Sequence, residues 1–144
     1  MSKVLVLNGP NLNLLGSREP EIYGSLNLTE LEGQLKDLAV SLGVNVETRQ
    51  TSDEAELILW IHEALAQKID VILNPAAFTH YSYALRDAVA ALTSAGIRLI
   101  EVHISNPHSR ERFRQNSVIS GVASGVIAGF GFDSYKLALR QLVG

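Results

Sequence analysis

The sequence has no cysteine, which excludes disulfides, thiolate metal sites and cysteine nucleophiles. Charged residues make up only 19% and the formal net charge is −3, so we expect no general affinity for nucleic acid or anionic membranes. No apolar run approaches the roughly 20 residues of a membrane-spanning helix. The first residues already show a strand pattern, without a basic-then-apolar leader. These absences predict a cytoplasmic protein, since a chain without cysteine also fits a reducing compartment.

Several chemical signatures are also missing. The sequence contains no GxxxxGK[ST] phosphate-binding loop, and Gly129-Phe-Gly131 lacks the third glycine of a dinucleotide fingerprint. No cluster of His, Asp and Glu has metal-ligand spacing, so we expect no metal site. No lysine follows a predicted strand, which argues against Schiff-base catalysis; the four lysines are Lys3, Lys36, Lys68 and Lys136.

The residues that are present favour one globular domain spanning 1–144, with 47% hydrophobic residues. Predicted strands alternate with about five helices, and this alternation favours a doubly wound parallel sheet with helices on both faces. A flavodoxin-like strand order, 2-1-3-4-5, is the leading choice for this length. The predicted strands are Val4–Leu7, Val44–Arg49, Asp70–Leu73, Ile97–Ile104 and Gly125–Phe130. The main helices run from a Thr29/Glu32 capping box to Gly43, from Ser52–Glu54 to Gln67, over Tyr81–Ser94 and from an Asp133 cap to Leu142.

The segment after the first strand is the predicted centre of the site. Val4–Leu7 stops abruptly at the turn residues Asn8-Gly9-Pro10-Asn11, and ligands of open α/β sheets bind just beyond such carboxyl ends. The turn therefore brings Asn8, Asn11 and Asn13 to the expected site. A loop bracketed by Gly16 and Gly24 follows and has the length of a lid; it carries Arg18, Glu19, Glu21 and Tyr23.

Three predicted strand ends supply mainly neutral hydrogen-bonding groups. These ends are Asn8–Asn13, Asn74–His80 and His103–Asn106, and Arg110, Arg112 and Arg114 follow the last of them. Such a set suits a small polyhydroxylated anion, because amides and hydroxyls bind hydroxyl groups while arginine binds a carboxylate. The arginines are also compatible with a solvated face; in a helix, Arg110 and Arg114 share one side while Arg112 points away.

Two histidines lie near the ends of predicted strands, but the residues around them differ. His103 lies inside the predicted apolar strand Ile97–Ile104 with Glu101 two residues earlier, so both side chains share one face. A carboxylate there can fix the imidazole tautomer and favour the protonated form needed for acid catalysis, although the pair can also be a satisfied core ion pair. His80 can equally cap the following helix instead of binding a ligand. Asn11 can be a turn residue that hydrogen-bonds its own backbone, or it can donate to a ligand oxygen or a bound water.

Arg18 and Tyr23 are ordinary solvated loop residues unless their side chains meet. A guanidinium beside a phenol favours the phenolate and lowers the phenol pKa from its usual value of about 10. A phenolate on a closing lid is a strong base screened from water. The spacing leaves both possibilities open.

Three stretches together resemble the type II 3-dehydroquinate dehydratases. They are NGPNLNLLGSREPEIYG, ILNPAAFTHYSYALRDA and IEVHISNPHSRERFR, and the likeness continues through SGVIAGFG and YKLAL near the end. The resemblance implies a flavodoxin-like fold and a homododecamer assembled as a tetramer of trimers. It further implies anti dehydration of 3-dehydroquinate to 3-dehydroshikimate through an enolate, without metal or organic cofactor. This reaction belongs to the shikimate pathway of aromatic amino acid biosynthesis or to quinate catabolism.

The resemblance also implies roles for five catalytic positions. Tyr23 matches the base that removes the C2 proton as a phenolate, and Arg18 matches the lid arginine that favours this phenolate. Asn11 matches the residue that holds a water against the enolate. His103, oriented by Glu101, matches the acid that protonates the departing C1 hydroxyl.

The remaining matches concern binding and assembly. Positions that hold the substrate hydroxyls and carboxylate are matched by Asn74, His80, Ile104, Ser105 and Arg114. Asp87 matches an acidic residue at a subunit contact near a neighbour's site, and Arg110 matches an arginine that organises the lid. The sequence departs from the family pattern at Tyr81, Tyr83, Pro107, Asn116 and Val118, none of which is a matched catalytic position.

Two other classes of protein are compatible with this fold. A non-catalytic flavodoxin-like module would bind a nucleotide or flavin, but the turn after the first strand lacks phosphate-binding chemistry. A receiver-type signalling domain would need an acidic cluster at the strand ends, where this sequence has Asn and His.

Overall fold

A computed structural model describes residues 2–17, 19–23 and 26–143, with only the backbone described at positions 20 and 23. The predicted pairing of the Arg18 guanidinium with the Tyr23 phenol, and the predicted glycine bracket at Gly24, lie outside the described residues. Among the helices that are described, none has both the length and the apolarity that a membrane span requires.

The sheet has five parallel strands in the order β2-β1-β3-β4-β5, which confirms the predicted flavodoxin-like topology. The strands are β1 Lys3–Asn8, β2 Asn45–Gln50, β3 Asp70–Asn74, β4 Leu99–His103 and β5 Gly125–Ala128. The last two are shorter than predicted. The Arg98 N–H is bound by the Asp70 carboxylate at 3.0 Å before β4 begins, and Gly129, at φ 94°, turns the chain after β5.

Helices cover both faces of the sheet. They are α1 Pro20–Tyr23, α2 Leu28–Leu42, α3 Glu54–Gln67, α4 Tyr83–Ser94 and α5 Asp133–Val143. Alternate residues of β1 divide between two cores, with Val4 and Val6 against α2 and α5, and Leu5 and Leu7 against α3 and α4. This division explains why the strand reads as a continuous apolar run.

Two helices begin at residues other than those predicted. At α2 the capping box is formed by Asn27 and Glu30, not by Thr29 and Glu32: the Asn27 side chain accepts the Glu30 N–H at 2.9 Å. Thr29 matches the same spacing but already lies inside the helix. At α4 the N-cap is Ser82, whose hydroxyl accepts the Leu85 N–H at 3.1 Å, so the predicted start at Tyr81 is wrong by two residues.

Gly9 joins the ends of β1 and β3. Its N–H donates to the Asn74 carbonyl at 2.8 Å, and a Cβ at this position would lie 2.7 Å from the Pro75 carbonyl oxygen. Any side chain would therefore push apart the two strand ends. The glycine in the first turn is required by this close approach.

We expect Gly9→Ala to lower the free energy of unfolding by about 1–3 kcal/mol, as overpacked sites do. The measurement is the midpoint of thermal unfolding. Gly33→Ala is the matched control, because a Cβ there meets nothing within 4 Å and the residue lies inside α2, where alanine is the better helix former. Equal midpoints for the Gly9 variant and the unaltered protein would contradict the close approach.

Candidate active site

A cavity of about 240 Å³ lies at the carboxyl ends of β1, β3 and β4. It is smaller than the roughly 300–1,000 Å³ of pockets for drug-sized ligands, so it suits a compact ligand. Its wall contains many of the residues singled out from the sequence. The lining residues are Pro10, Asn11, Leu12, Asn74, Ala76, Ala77, His80, His103, Ile104, Ser105, Pro107, Arg110, Phe113 and Arg114.

The three asparagines after β1 have different environments. Asn11 lines the cavity and adopts a left-handed conformation at φ 69°, which asparagine tolerates better than most residues. Asn8 is buried, with its amide bonded inside the protein, and Asn13 is exposed outside the cavity lining. Only Asn11 is therefore presented to a ligand, although the sequence predicted all three at the site.

Glu101 and His103 form the pair that the strand period predicted. Glu101 is 1% exposed, and its Oε2 contacts His103 Nε2. Two hydroxyls also donate to the carboxylate, from Thr79 at 2.8 Å and from Ser120 at 2.7 Å. Burial alone would raise the pKa of Glu101, but the His103 imidazole and these hydroxyls outweigh it and hold the pKa below its ordinary value.

The ionised carboxylate determines which nitrogen of His103 is available. Since Glu101 can only accept, His103 Nε2–H is the donor in their contact. The other nitrogen, Nδ1, is not used in this contact, and the His103 side chain lines the cavity. A carboxylate-oriented imidazole at a cavity wall is the arrangement that general acid catalysis requires.

The lowered pKa of Glu101 predicts how the stability of the fold depends on pH. Its ionised form stabilises the fold above the ordinary pKa of 4.5, and this stabilisation is lost as the pH falls through the lower pKa of the folded state. We expect Glu101→Gln to lower the midpoint of thermal unfolding at neutral pH. The difference in midpoint, or gap, between the variant and the unaltered protein should narrow below about pH 4. Glu56→Gln, on the exposed side of α3, controls for the lost charge. A gap independent of pH would contradict the ion pair.

His80 presents an acceptor to the same cavity. Its Nδ1–H donates to the Asn116 carbonyl at 2.8 Å. Burial and the nearby positive charge of Arg114 lower the pKa of His80, although the bond to Asn116 acts in the opposite direction. The neutral ring therefore leaves Nε2 free to accept a hydrogen bond, as a ligand hydroxyl would provide.

The arginines after β4 do not all face the cavity. Arg110 and Arg114 line it, whereas Arg112 is exposed and lies outside the lining. The grouping is the predicted one, but no single helix produces it, because Arg110 is in extended backbone and only Arg112–Gln115 forms a short 3-10 turn. Arg110 Nη1 donates to the Ser105 hydroxyl at 3.2 Å, and Arg110 Nη2 lies 3.7 Å from the Glu19 carboxylate. Arg110 thus connects the end of β4 to the segment that begins the predicted lid.

Among the remaining predicted residues, Asp87 is not brought to the cavity. Asp87 lies on the exposed side of α4, where its carboxylate accepts from Arg86 at 2.9 Å. Arg18 and the Tyr23 side chain lie outside the described residues, although the backbone of Tyr23 ends α1. Within the described part of the chain, no group of three or more His, Asp or Glu side chains is placed to hold a metal ion.

Sequence reasoning missed the hydroxyl groups that surround Glu101. Ser117 contacts the Thr79 hydroxyl at 2.6 Å, and it also accepts the backbone N–H groups of Ile119 and Ser120. Threonine and serine are common in loops, and no periodicity marks these three. Their only signal is that each lies in a segment between two predicted elements.

The fold and cavity define a class: a flavodoxin-like α/β protein with an acid–base site beyond its central strands. Residues 2–143 match the sequence profile of the family described as Dehydroquinase class II, and the chain belongs to this family. A 3-dehydroquinate dehydratase of Kineococcus radiotolerans is 57% identical over 142 residues, which cover 99% of this chain and 95% of that one. One from Bacillus licheniformis is 53% identical over 143 residues, covering 99% and 97%.

A solved structure agrees with these relatives. The type II dehydroquinase of Propionibacterium acnes superimposes with a TM-score of 0.95 at 45% identity, covering 99% of this chain and 97% of that chain. The family and fold inferred from the three sequence stretches are therefore confirmed.

Proposed function

We propose that this chain is a hydro-lyase that dehydrates 3-dehydroquinate to 3-dehydroshikimate by anti elimination through an enolate. The observation that carries the proposal is the Glu101–His103 pair at the wall of a compact cavity, in a chain of the class II dehydroquinase family. The reaction needs an acid for the departing hydroxyl, and an imidazole oriented by an ionised carboxylate supplies one.

In the proposed reaction the acid and the base act on opposite faces of the ring. His103 Nδ1–H protonates the C1 hydroxyl as it leaves, and Glu101 stabilises the charged imidazole before the transfer. The Tyr23 phenolate, favoured by Arg18, removes the C2 proton next to the ketone. The enolate is stabilised by a water that Asn11 holds, which is supported by the position of Asn11 in the cavity wall.

The binding residues are assigned from the family resemblance, and the hydrogen-bonding groups of the cavity wall support the assignment. Asn74, Ser105 and the neutral His80 bind the ring hydroxyls, together with the backbone around Ile104. Arg114 binds the carboxylate. Arg110 holds the lid through its proximity to Glu19.

The test is to mix the purified protein with 3-dehydroquinate and to record the ultraviolet absorbance of the conjugated enone. We expect the absorbance to rise with time, without added metal or cofactor. A flat trace from folded protein would refute the proposal. A flavin or nucleotide that bound with a saturable spectral change would then favour the non-catalytic module, although the family membership does not support it.

We further propose that twelve copies of this single-domain chain assemble as a tetramer of trimers in the cytoplasm. The exposed Asp87 is then placed at a subunit contact close to the neighbouring site. Light scattering should give a mass twelve times that of the 15.7 kDa chain. A mass of one chain at working concentration would contradict the assembly.

A further inference from the structure

Tyr135 is a buried phenol that the proposed reaction does not use. It lies on α5 with 0% exposure, its ring within the core that packs against β1 and β3. Its hydroxyl lies between the amides that end those two strands. The hydroxyl donates to Asn8 Oδ1 at 2.6 Å and accepts from Asn74 Nδ2 at 2.9 Å.

Both ends of this hydrogen-bond chain are anchored on the backbone. Asn8 Nδ2 donates to the Arg49 carbonyl at 3.3 Å, so Asn8 Oδ1 must be the atom that faces Tyr135. Asn74 Oδ1 accepts the Ala76 N–H at 3.0 Å, so Asn74 Nδ2 must face Tyr135 from the other side. A carbonyl can only accept and a backbone N–H can only donate, and the direction of every bond between them is therefore determined.

We propose that Tyr135 is a positioning residue, which holds the Asn74 amide so that its second Nδ2–H points to a substrate oxygen in the cavity. One Nδ2 hydrogen of Asn74 is used inside the protein, and the second hydrogen is the amide donor left for a ligand. The inference deepens the proposed function, because it rests on Asn74 as a substrate-binding residue.

The buried hydroxyl of Tyr135 suits this task because its hydrogen bonds have fixed directions. Burial raises the pKa of Tyr135 well above its ordinary value, so the group stays neutral and keeps one donor and one acceptor direction. Without the hydroxyl, Asn74 Nδ2 would have a buried hydrogen without an acceptor. The amide would then rotate or admit water, and the hydrogen directed at the substrate would lose its position.

The experiment is a double-mutant cycle with Tyr135→Phe, Asn74→Ala and both changes together. We expect Tyr135→Phe to reduce kcat/KM about tenfold, mainly through a higher KM, with an unchanged pH profile. In the Asn74→Ala background the same change should have almost no further effect, because the residue through which Tyr135 acts is gone. Tyr83→Phe, which removes an exposed phenol hydroxyl, is the control.

The possible results separate the inference from the proposed function. If Asn74→Ala lowers kcat/KM but the Tyr135→Phe effect is undiminished in its background, Tyr135 is only structural and the inference is overturned. If Asn74→Ala leaves kcat/KM unchanged, the binding role of Asn74 fails, and the inference with it, while turnover by the unaltered protein still supports the reaction.

A second measurement needs no variant and decides the matter if Tyr135→Phe does not fold. In a crystal structure of the unaltered protein with 3-dehydroshikimate, Asn74 Nδ2 should lie within 3.5 Å of both the Tyr135 hydroxyl and a ligand oxygen, the ordinary limit of a hydrogen bond being about 3.2–3.5 Å. An Asn74 amide turned with Oδ1 toward the ligand would overturn the inference.

Discussion

Tyr23→Phe should reduce kcat by about 10²–10⁴, the usual contribution of a general base. The substitution keeps the aromatic ring but removes the oxygen that accepts the C2 proton. Substrate binding should largely survive, because the proposed binding groups are Asn74, His80 and Arg114. The measurement is the affinity of the variant for the product, 3-dehydroshikimate. A nearly unchanged affinity together with lost turnover would show that Tyr23 acts in the chemical step and not in binding.

The control for this variant is Tyr83→Phe, which removes a phenol hydroxyl that is exposed and outside the cavity lining. Its kcat should match that of the unaltered protein. Near-normal turnover by the Tyr23 variant would remove the base from the proposed mechanism, whatever the control shows. The elimination would then need another proton acceptor beside C2.

His103→Ala should lower kcat by a similar factor of about 10²–10⁴, through the loss of the acid. The hydroxyl at C1 is a poor leaving group unless it is protonated as the bond breaks. Glu101 cannot replace the imidazole, because its carboxylate is ionised, buried and held by the Thr79 and Ser120 hydroxyls.

The steady-state constants separate two roles for His103. A loss confined to kcat, with KM little changed, identifies a group that acts in the transition state. A rise in KM alone would make His103 a binding group and contradict its role as the acid. His62→Ala is the control, because that histidine is exposed on α3 and its loss should leave both constants unchanged.

Much of the fold follows from local patterns that this chain displays clearly. The apolar run of β1 ending in Asn8-Gly9-Pro10 predicted both the buried strand and the turn that begins the site. The two-residue spacing of Glu101 and His103 predicted one shared face, and the structure brings their side chains into contact. These inferences succeed because each depends on neighbouring residues alone.

Other features depend on contacts between distant parts of the chain. The Tyr135 hydroxyl meets Asn8 across 127 positions, and Gly9 is required by the Pro75 carbonyl, which lies on another strand end. No periodicity or spacing reports such a contact. Local signals also competed where two patterns overlapped: Thr29 and Asn27 both precede a glutamate by three residues, and only the backbone shows that Asn27 is the cap.

The central claim is that the base and the acid act on opposite faces of the substrate ring. Its most direct test uses two samples of 3-dehydroquinate, with deuterium at C2 either trans or cis to the C1 hydroxyl, and measures the label in the 3-dehydroshikimate by mass spectrometry. We predict that the trans deuterium is lost and the cis deuterium is kept. Loss of the cis deuterium would place base and acid on the same face and contradict the mechanism.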